Sequence, residues 1–297
     1  MEYNFNKNYK YNIIENKIKI YSCKNFFFLC LLLYIFIYLC FIEKKKINIK
    51  IYINIYEENK YEKYMNNIKR MKKLVYTVNF GKYDKLKIIN RQKGWDYFAF
   101  IDSNISDYNN TNWTLIPISD KLNSLNVSDI KKTRYLKLFP HLFFKNYSLS
   151  IYIDATYKII DDLNEFILRI LDNKHSIFSL EHPDTPSVNV EIDVVISVKK
   201  EKQSIGLKVR DKYIKERFPD NLGLTENSII IRKHNEKECI ELMKEWWKEI
   251  EKYSHRDQLS FNYVRWKTGI KNKIIPKNFA LNYFKQSWHI KFFTIKD

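Results

Sequence analysis

Phe26 to Ile42 is a run of 17 residues with no charge and no strongly polar group (FFFLCLLLYIFIYLCFI), followed by Glu43-Lys44-Lys45-Lys46. As a helix it spans roughly 25 Å at 1.5 Å per residue, the short end of a membrane crossing. A cleaved signal peptide has a shorter apolar core and ends on small residues. This run ends on charge, so an uncleaved signal anchor over residues 26–42 is expected; the alternative is a buried core helix. Five lysines in residues 6–25 and five in residues 43–62 leave the orientation tied by charge. The short basic tail of residues 1–25 suits a single-pass type II protein, with its domain in an ER- or Golgi-like lumen or at an envelope. Ile47 to Tyr56 (INIKIYINIY) alternates with the period of a strand. Glu57 to Lys73 is dominated by charge and amides and reads as a helical or disordered stem. Residues 43–72 together are expected to form a membrane-proximal linker.

From residue 73 to 297 the pattern is that of a folded domain. Leu74 to Val78, Tyr97 to Ile101, Trp113 to Ile118, Leu149 to Ile153, Ser176 to Leu180 and Ser228 to Ile231 are short β-rich apolar runs. Ser128 to Phe144, with apolar Ile130, Leu136, Leu138 and Leu142, reads as a helix that Pro140 interrupts near its end. Asp161 to Leu171 is an amphipathic helix whose two leading acids suit a helix N-terminus. Asn189 to Phe218 contains at least one helix, and Glu236 to Tyr253 is a helix carrying Trp246-Trp247. Short strands alternating with helices predict an α/β fold with a largely parallel sheet.

Composition changes this picture little. Aromatic residues are 16% of the chain, too many for intrinsic disorder, and 5 Gly with 6 Pro exclude collagen-like and Pro-rich classes. The Asn, Lys, Ile and Tyr excess reads as A/T-rich codon bias. The net charge is +18; residues 1–73, with 15 Lys/Arg against 6 Glu, hold half of it. Such an excess suits nucleic acid, an anionic membrane surface or anionic substrates such as sugar nucleotides. With no zinc-knuckle spacing, RRM-type aromatic motif or long Arg-rich run, nucleic acid is not expected as a partner. Cys23, Cys30 and Cys40 lie in or beside the apolar run, and Cys239 alone lies in the domain, so no disulfide framework forms there.

Asp84, Asp102 and Asp154 each end or follow a strand-like run. In open α/β sheets ligands bind beyond the carboxyl ends of the strands, where an acid holds a ribose hydroxyl or a divalent cation; Asp is also a common turn former. Asp154, in Ser150-Ile151-Tyr152-Ile153-Asp154-Ala155-Thr156, is the candidate for holding Mg²⁺ or Mn²⁺ against a diphosphate, although Thr156 stands where a second acid would complete the motif. Arg256-Asp257-Gln258, with Asn262 following, suits sugar-hydroxyl binding or a catalytic base, or equally an N-cap Asp beside a solvated Arg. Arg134 and Lys137, three apart, share a helix face and either meet phosphates or form a solvated face. His182, His234 and His289 offer imidazoles that are more commonly packed or surface groups. The chain has no Walker A, G-x-G-x-x-G, G-x-S-x-G or H-E-x-x-H sequence.

One ordered set of motifs resembles a known family. It runs through Val75-Tyr76-Thr77-Val78-Asn79-Phe80-Gly81-Lys82-Tyr83-Asp84, Trp95-Asp96-Tyr97-Phe98, Arg134-Tyr135-Leu136-Lys137-Leu138-Phe139-Pro140-His141, Tyr152-Ile153-Asp154-Ala155, Glu181-His182-Pro183, Gly223-Leu224-Thr225-Glu226-Asn227, Ile230-Ile231-Arg232-Lys233-His234-Asn235, Glu245-Trp246-Trp247 and Ser254-His255-Arg256-Asp257-Gln258-Leu259-Ser260-Phe261. The set resembles the glycosyltransferase-like domain of plant mucilage-related and turgor-regulation proteins and of bacterial and viral polysaccharide-locus proteins, over about residues 73–270. The resemblance implies a GT-A-like nucleotide-sugar fold and sugar transfer from an activated donor to a glycan or glycoconjugate. By that resemblance Tyr76, Thr77, Asn79, Tyr83 and Asp84 form the nucleotide side. Asp102 lies near the base or ribose, and Arg134 and Lys137 face the diphosphate. Asp154 stands as the metal-binding acid, and Arg256, Asp257 and Gln258 line the donor-sugar and acceptor site. Asp257-Gln258 with Asn262 also resembles the D-Q-x-x-x-N of glycogenin-type transferases, in which a late His completes the metal site, here His289. After His182-Pro183 the chain departs from the family, with Glu191 near an expected acidic pair; acceptor contacts at His182 and Glu191 are the part this affects. Two other classes remain open: a membrane-associated hydrolase of lipid or glycan, ceramidase-like, and a non-catalytic glycan-binding protein.

Overall fold

The computed structural model describes residues 30–47, 50, 62–80, 84–102, 108, 111–118 and 125–287. The chain divides into two compact units, Met1–Asn66 and Asn67–Asp297.

In the first unit residues 30–47 are helical, and the large apolar side chains from Leu31 to Leu39, with Phe41, are exposed. Among the described residues no helix is long and apolar enough to cross a membrane. The expected span over residues 26–42 is therefore not found there. Its first four residues lie outside the described part, and the helix that begins at Cys30 reaches the charged Glu43-Lys44-Lys45-Lys46 after Ile42. Ile47 and Lys50 are helical as well, against the expectation of a strand beginning at Ile47. The rest of the Ile47–Tyr56 segment, residues 48–49 and 51–56, lies outside the described residues.

The second unit is built on a seven-stranded sheet of order β3-β2-β1-β4-β7-β6-β8. Its strands are β1 Lys73–Asn79, β2 Trp95–Ile101, β3 Thr114–Pro117, β4 Leu149–Ile153, β6 Ile177–Glu181, β7 Thr225–Arg232 and β8 Lys273–Ile275. β3, β2, β1 and β4 pair in parallel, as do β6 and β8; β7 alone runs the other way, antiparallel to both β4 and β6. β5 Tyr157–Ile159 and β9 Phe284–Gln286 form a separate antiparallel pair. All seven residues of β1 and all five of β4 are buried, as befits central strands covered on both faces.

The helices of this unit are α1 Asp129–Leu138, α2 Pro140–Phe143, α3 Leu163–Ile170, α4 Val188–Ser197, α5 Gln203–Lys215, α6 Lys237–Lys252, α7 Gln258–Thr268 and α8 Lys277–Ala280. One core joins Leu74, Tyr76, Val78, Tyr152 and Ile230 of the sheet to Leu136, Ile192, Met243, Trp246 and Phe261 of the helices. A second set of rings, Phe166, Phe279, Tyr283 and Phe284, packs around α3. The segment from Asn189 to Phe218, expected to contain at least one helix, holds all but the first residue of α4 and all of α5.

Pro140 splits the predicted 128–144 helix as expected. Proline has no N–H to continue the ladder and restricts the residue before it, and Phe139 leaves helical geometry at φ −113°, ψ 49°. Lys137 thereby falls in the last turn of α1.

Candidate active-site cleft

Strand direction decides where the chemistry gathers. β4 and β6 point the same way, so Asp154 and His182, the residues that follow them, emerge at one edge of the sheet. β7 runs oppositely and brings its amino end, Glu226 to Ser228, to that same edge. A cleft of about 450 Å³ opens there, lined among others by Arg134, Lys137, Asp154, His182, Asp184, Glu191, Glu226, Ser228, Arg256, Asp257, Gln258, Lys277 and Gln286. It lies at the strand-end position where open α/β sheets bind ligands.

The last turn of a helix leaves carbonyls without partners. On α1 the Lys137 carbonyl accepts from the Tyr76 hydroxyl at 2.6 Å and from Arg232 Nη2 at 2.8 Å. Tyr76 and Arg232 are fully buried and hydrogen-bond each other. They fix the backbone from which the Lys137 side chain reaches the cleft floor. Its ammonium lies 2.5 Å from Asp257 Oδ2, 3.9 Å from Asp154 Oδ1 and 4.7 Å from the centre of the Tyr152 ring. Only 2% of the Lys137 side chain is exposed. Arg134, one turn earlier, places Nε 3.8 Å from Asp257 Oδ1 and donates to the His255 carbonyl at 3.3 Å.

Asp257 occupies the N-cap position of α7 but is itself helical (φ −58°, ψ −29°), and its carboxylate caps nothing. Burial pushes its pKa up, but Arg134 and Lys137 outweigh that and hold it near 2. Its carbonyl accepts from Trp246 Nε1 at 3.0 Å, so α6 fixes the start of α7. Asp154 Oδ1 accepts from the Tyr152 hydroxyl at 2.6 Å; burial and the Asp154 charge raise the Tyr152 pKa and keep that hydroxyl a donor.

The opposite wall holds a second network. Glu226 Oε1 accepts from the Tyr157 hydroxyl at 2.9 Å and from Ser228, while Lys277 pairs with its other oxygen. Burial favours the neutral acid, but the bonds from Lys277, Ser228 and Tyr157 hold the Glu226 pKa below the carboxylate range. His182 Nδ1 accepts from the backbone of Thr185 at 2.9 Å and of Asp184 at 3.3 Å, which leaves the proton on Nε2. Glu191 accepts from Thr185 Oγ1 at 3.0 Å. Arg256 donates to the Lys200 carbonyl at 3.1 Å.

The sequence profile described as "TOD1/MUCI70, glycosyltransferase-like domain" matches residues 58–295, most of the chain. The chain belongs to that family. Among solved structures it is similar to the bifunctional glycosyltransferase WbbM in its apo state, at 12% identity and a TM-score of 0.45 over 69% of this chain and 39% of that one. It thus spans about two fifths of that protein's length. A second similar structure is mouse xyloside xylosyltransferase 1, apo form, at 10% identity and a TM-score of 0.41 over 73% of this chain and 95% of that one. A search of curated proteins finds no match.

Of the residues singled out in the sequence, Arg134, Lys137, Asp154, His182, Glu191, Arg256, Asp257 and Gln258 meet in this cleft. Others do not. Tyr76 and Thr77 are fully buried in β1, and Asn79 is buried and donates to the Asp84 carbonyl at 2.9 Å. Asp84 and Asp102 stand beyond β1 and β2, with Asp102 exposed. Asn262 is fully buried; it accepts from Thr225 Oγ1 at 3.0 Å and donates to the Gly223 carbonyl at 2.5 Å, tying α7 to the approach to β7 instead of facing an acceptor. His234 is a packed histidine whose ring bonds the Phe144 carbonyl. Tyr83 and His289 lie outside the described residues. Tyr152, Tyr157, Glu226, Ser228 and Lys277 were not singled out as site residues. Glu226 was in view within Gly223-Leu224-Thr225-Glu226-Asn227, but only the reversed direction of β7 reveals that it faces Asp154's edge.

The described acids do not suit a divalent ion. Among the described residues no three His, Cys, Asp or Glu side chains gather as a metal site. Asp154 and Asp257 both face the Lys137 ammonium, and Thr156, in the second-acid position, is buried.

Proposed function

We propose that the chain is a glycosyltransferase of GT-A-like architecture, moving a sugar from a nucleotide-sugar donor to a glycan or glycoconjugate. The observation that carries the reading is the pairing of Arg134 and Lys137 with Asp257 at the strand-end cleft of a glycosyltransferase-like family member. A departing nucleoside diphosphate gathers negative charge, and fixed cations in a partly closed site stabilise it without reorganising. Arg134 and Lys137 serve that role from one face of α1. Asp257 orients the donor sugar: a carboxylate whose pKa is held near 2 is a weak proton acceptor at neutral pH, where a general base works best with a pKa close to the ambient value. Asp154, its side chain 35% exposed, is the acid available to an acceptor hydroxyl. Gln258 and the Nε2 proton of His182 provide hydrogen bonds to sugar hydroxyls.

In the same reading the apolar 26–42 run holds the chain on a membrane as a type II anchor. Its support is the uncharged run itself and the exposed apolar side chains of its helical part.

The test is release of nucleoside diphosphate from a panel of nucleotide sugars, with and without oligosaccharide acceptors, followed by mass spectrometry. Acceptor-dependent release with a product heavier by one sugar residue supports transfer, and Arg134→Met should lower it by about two orders of magnitude, as loss of one transition-state charge contact does. Release of free sugar at the same rate with no acceptor would replace the transferase by a hydrolase.

A further inference from the structure

We infer that the Lys137 ammonium occupies the place of a divalent cation in this cleft, so that the diphosphate is bound there without metal. The diphosphate in this statement rests on the transferase reading; the position of the cation does not.

Two carboxylates face each other across the cleft floor, Asp154 from the end of β4 and Asp257 from the start of α7. A hard divalent ion shared between them would need oxygen contacts of roughly 2.0–2.6 Å. The space is taken: one nitrogen lies 2.5 Å from an oxygen of Asp257 and 3.9 Å from an oxygen of Asp154. The nitrogen is not free to swing aside. The backbone of Lys137 is clamped by Tyr76 and Arg232, its side chain is 98% buried, and the Tyr152 ring lies 4.7 Å from the ammonium. The Asp154 oxygen that faces Lys137 is also the one that accepts from Tyr152. A metal at this point would have to displace a buried ammonium or sit beside it, with two like charges in close contact. Arg134 adds a second fixed cation 3.8 Å from the other Asp257 oxygen. Thr156, at the position of a second metal-binding acid, is buried and brings no charge.

The experiment titrates Mn²⁺ alone, without nucleotide, into the full-length chain and into Asp154→Asn and His289→Ala, by calorimetry and by the Mn²⁺ paramagnetic resonance signal. The inference expects the three isotherms to coincide. It further expects Lys137→Ala, which leaves the two carboxylates facing each other, to gain a Mn²⁺ site that Lys137→Ala with Asp154→Asn loses. Binding by the wild-type chain that Asp154→Asn or His289→Ala removes would overturn it, whether or not Lys137→Ala folds. A parallel titration with nucleoside diphosphates in EDTA and in Mn²⁺ separates the two claims. Equal affinity in both supports the metal-free site, and affinity that appears only with Mn²⁺ overturns it. Absence of binding in either buffer counts against the transferase reading, while the Mn²⁺ isotherms still judge the ammonium.

Discussion

His234 shows how a single residue's surroundings set its chemistry and make it measurable. It is 1% exposed, Nε2 bonds the Phe144 carbonyl, and Nδ1 has no partner. Burial, with Arg232 and His141 nearby, holds its pKa near 4, below the ordinary value near 6.5. Below pH 6.5 the unfolded chain takes up a proton that the native ring refuses until about pH 4. The stability His234 contributes is therefore complete above pH 6.5 and is lost as pH falls through that window, by on the order of 3 kcal/mol. Urea denaturation at pH 7.5, 5.5 and 4.5 should show that loss, and His234→Gln should flatten it. Asn262 makes the complementary case. If its amide only ties Thr225 and Gly223 together, Asn262→Ala lowers stability by about 1–3 kcal/mol through unpaired buried groups and leaves nucleotide affinity within about twofold, well under 1 kcal/mol in binding. A large loss of affinity in a folded variant would return Asn262 to the binding site.

At the scale of elements, the signals that worked were those with a local physical cause. Runs of buried β-branched and aromatic residues predicted β1, β2, β4 and β6, and Pro140 announced the break between α1 and α2. Asp162 caps α3, accepting from Asn164 N at 2.6 Å. Asp162→Ala should cost about 1 kcal/mol in thermal or chemical denaturation, and no change would mean that packing of Phe166 and Ile170 alone holds the helix. The elements that escaped the sequence lacked such a cause. β5, β8 and β9 are three residues each and α8 is four, too short to show a period. α7 is buried at six consecutive positions from Leu259 to Val264, so it has no polar stripe by which to recognise it. The antiparallel run of β7 was equally invisible, because direction is set by how α5 and the turn at Gly223 return the chain to the sheet.

For the whole molecule, the candidate site was legible in part because motifs distant in sequence were read as one ordered set. Arg134, Asp154 and Asp257 are brought together by three separate elements, and no local spacing predicts their distances. What no local pattern supplies is the charge balance: the Lys137 ammonium lies 3.9 Å from Asp154 and 2.5 Å from Asp257. The central claim is that Arg134 and Lys137 hold a nucleoside diphosphate, and thermal stabilisation of the full-length chain by a panel of nucleoside diphosphates and nucleotide sugars tests it most directly. One nucleotide should raise stability by about 2.7 kcal/mol at a hundredfold excess over its Kd, and Arg134→Met should remove the shift while remaining folded. A folded wild-type sample that no nucleotide stabilises, or a shift that Arg134→Met leaves intact, would contradict the account.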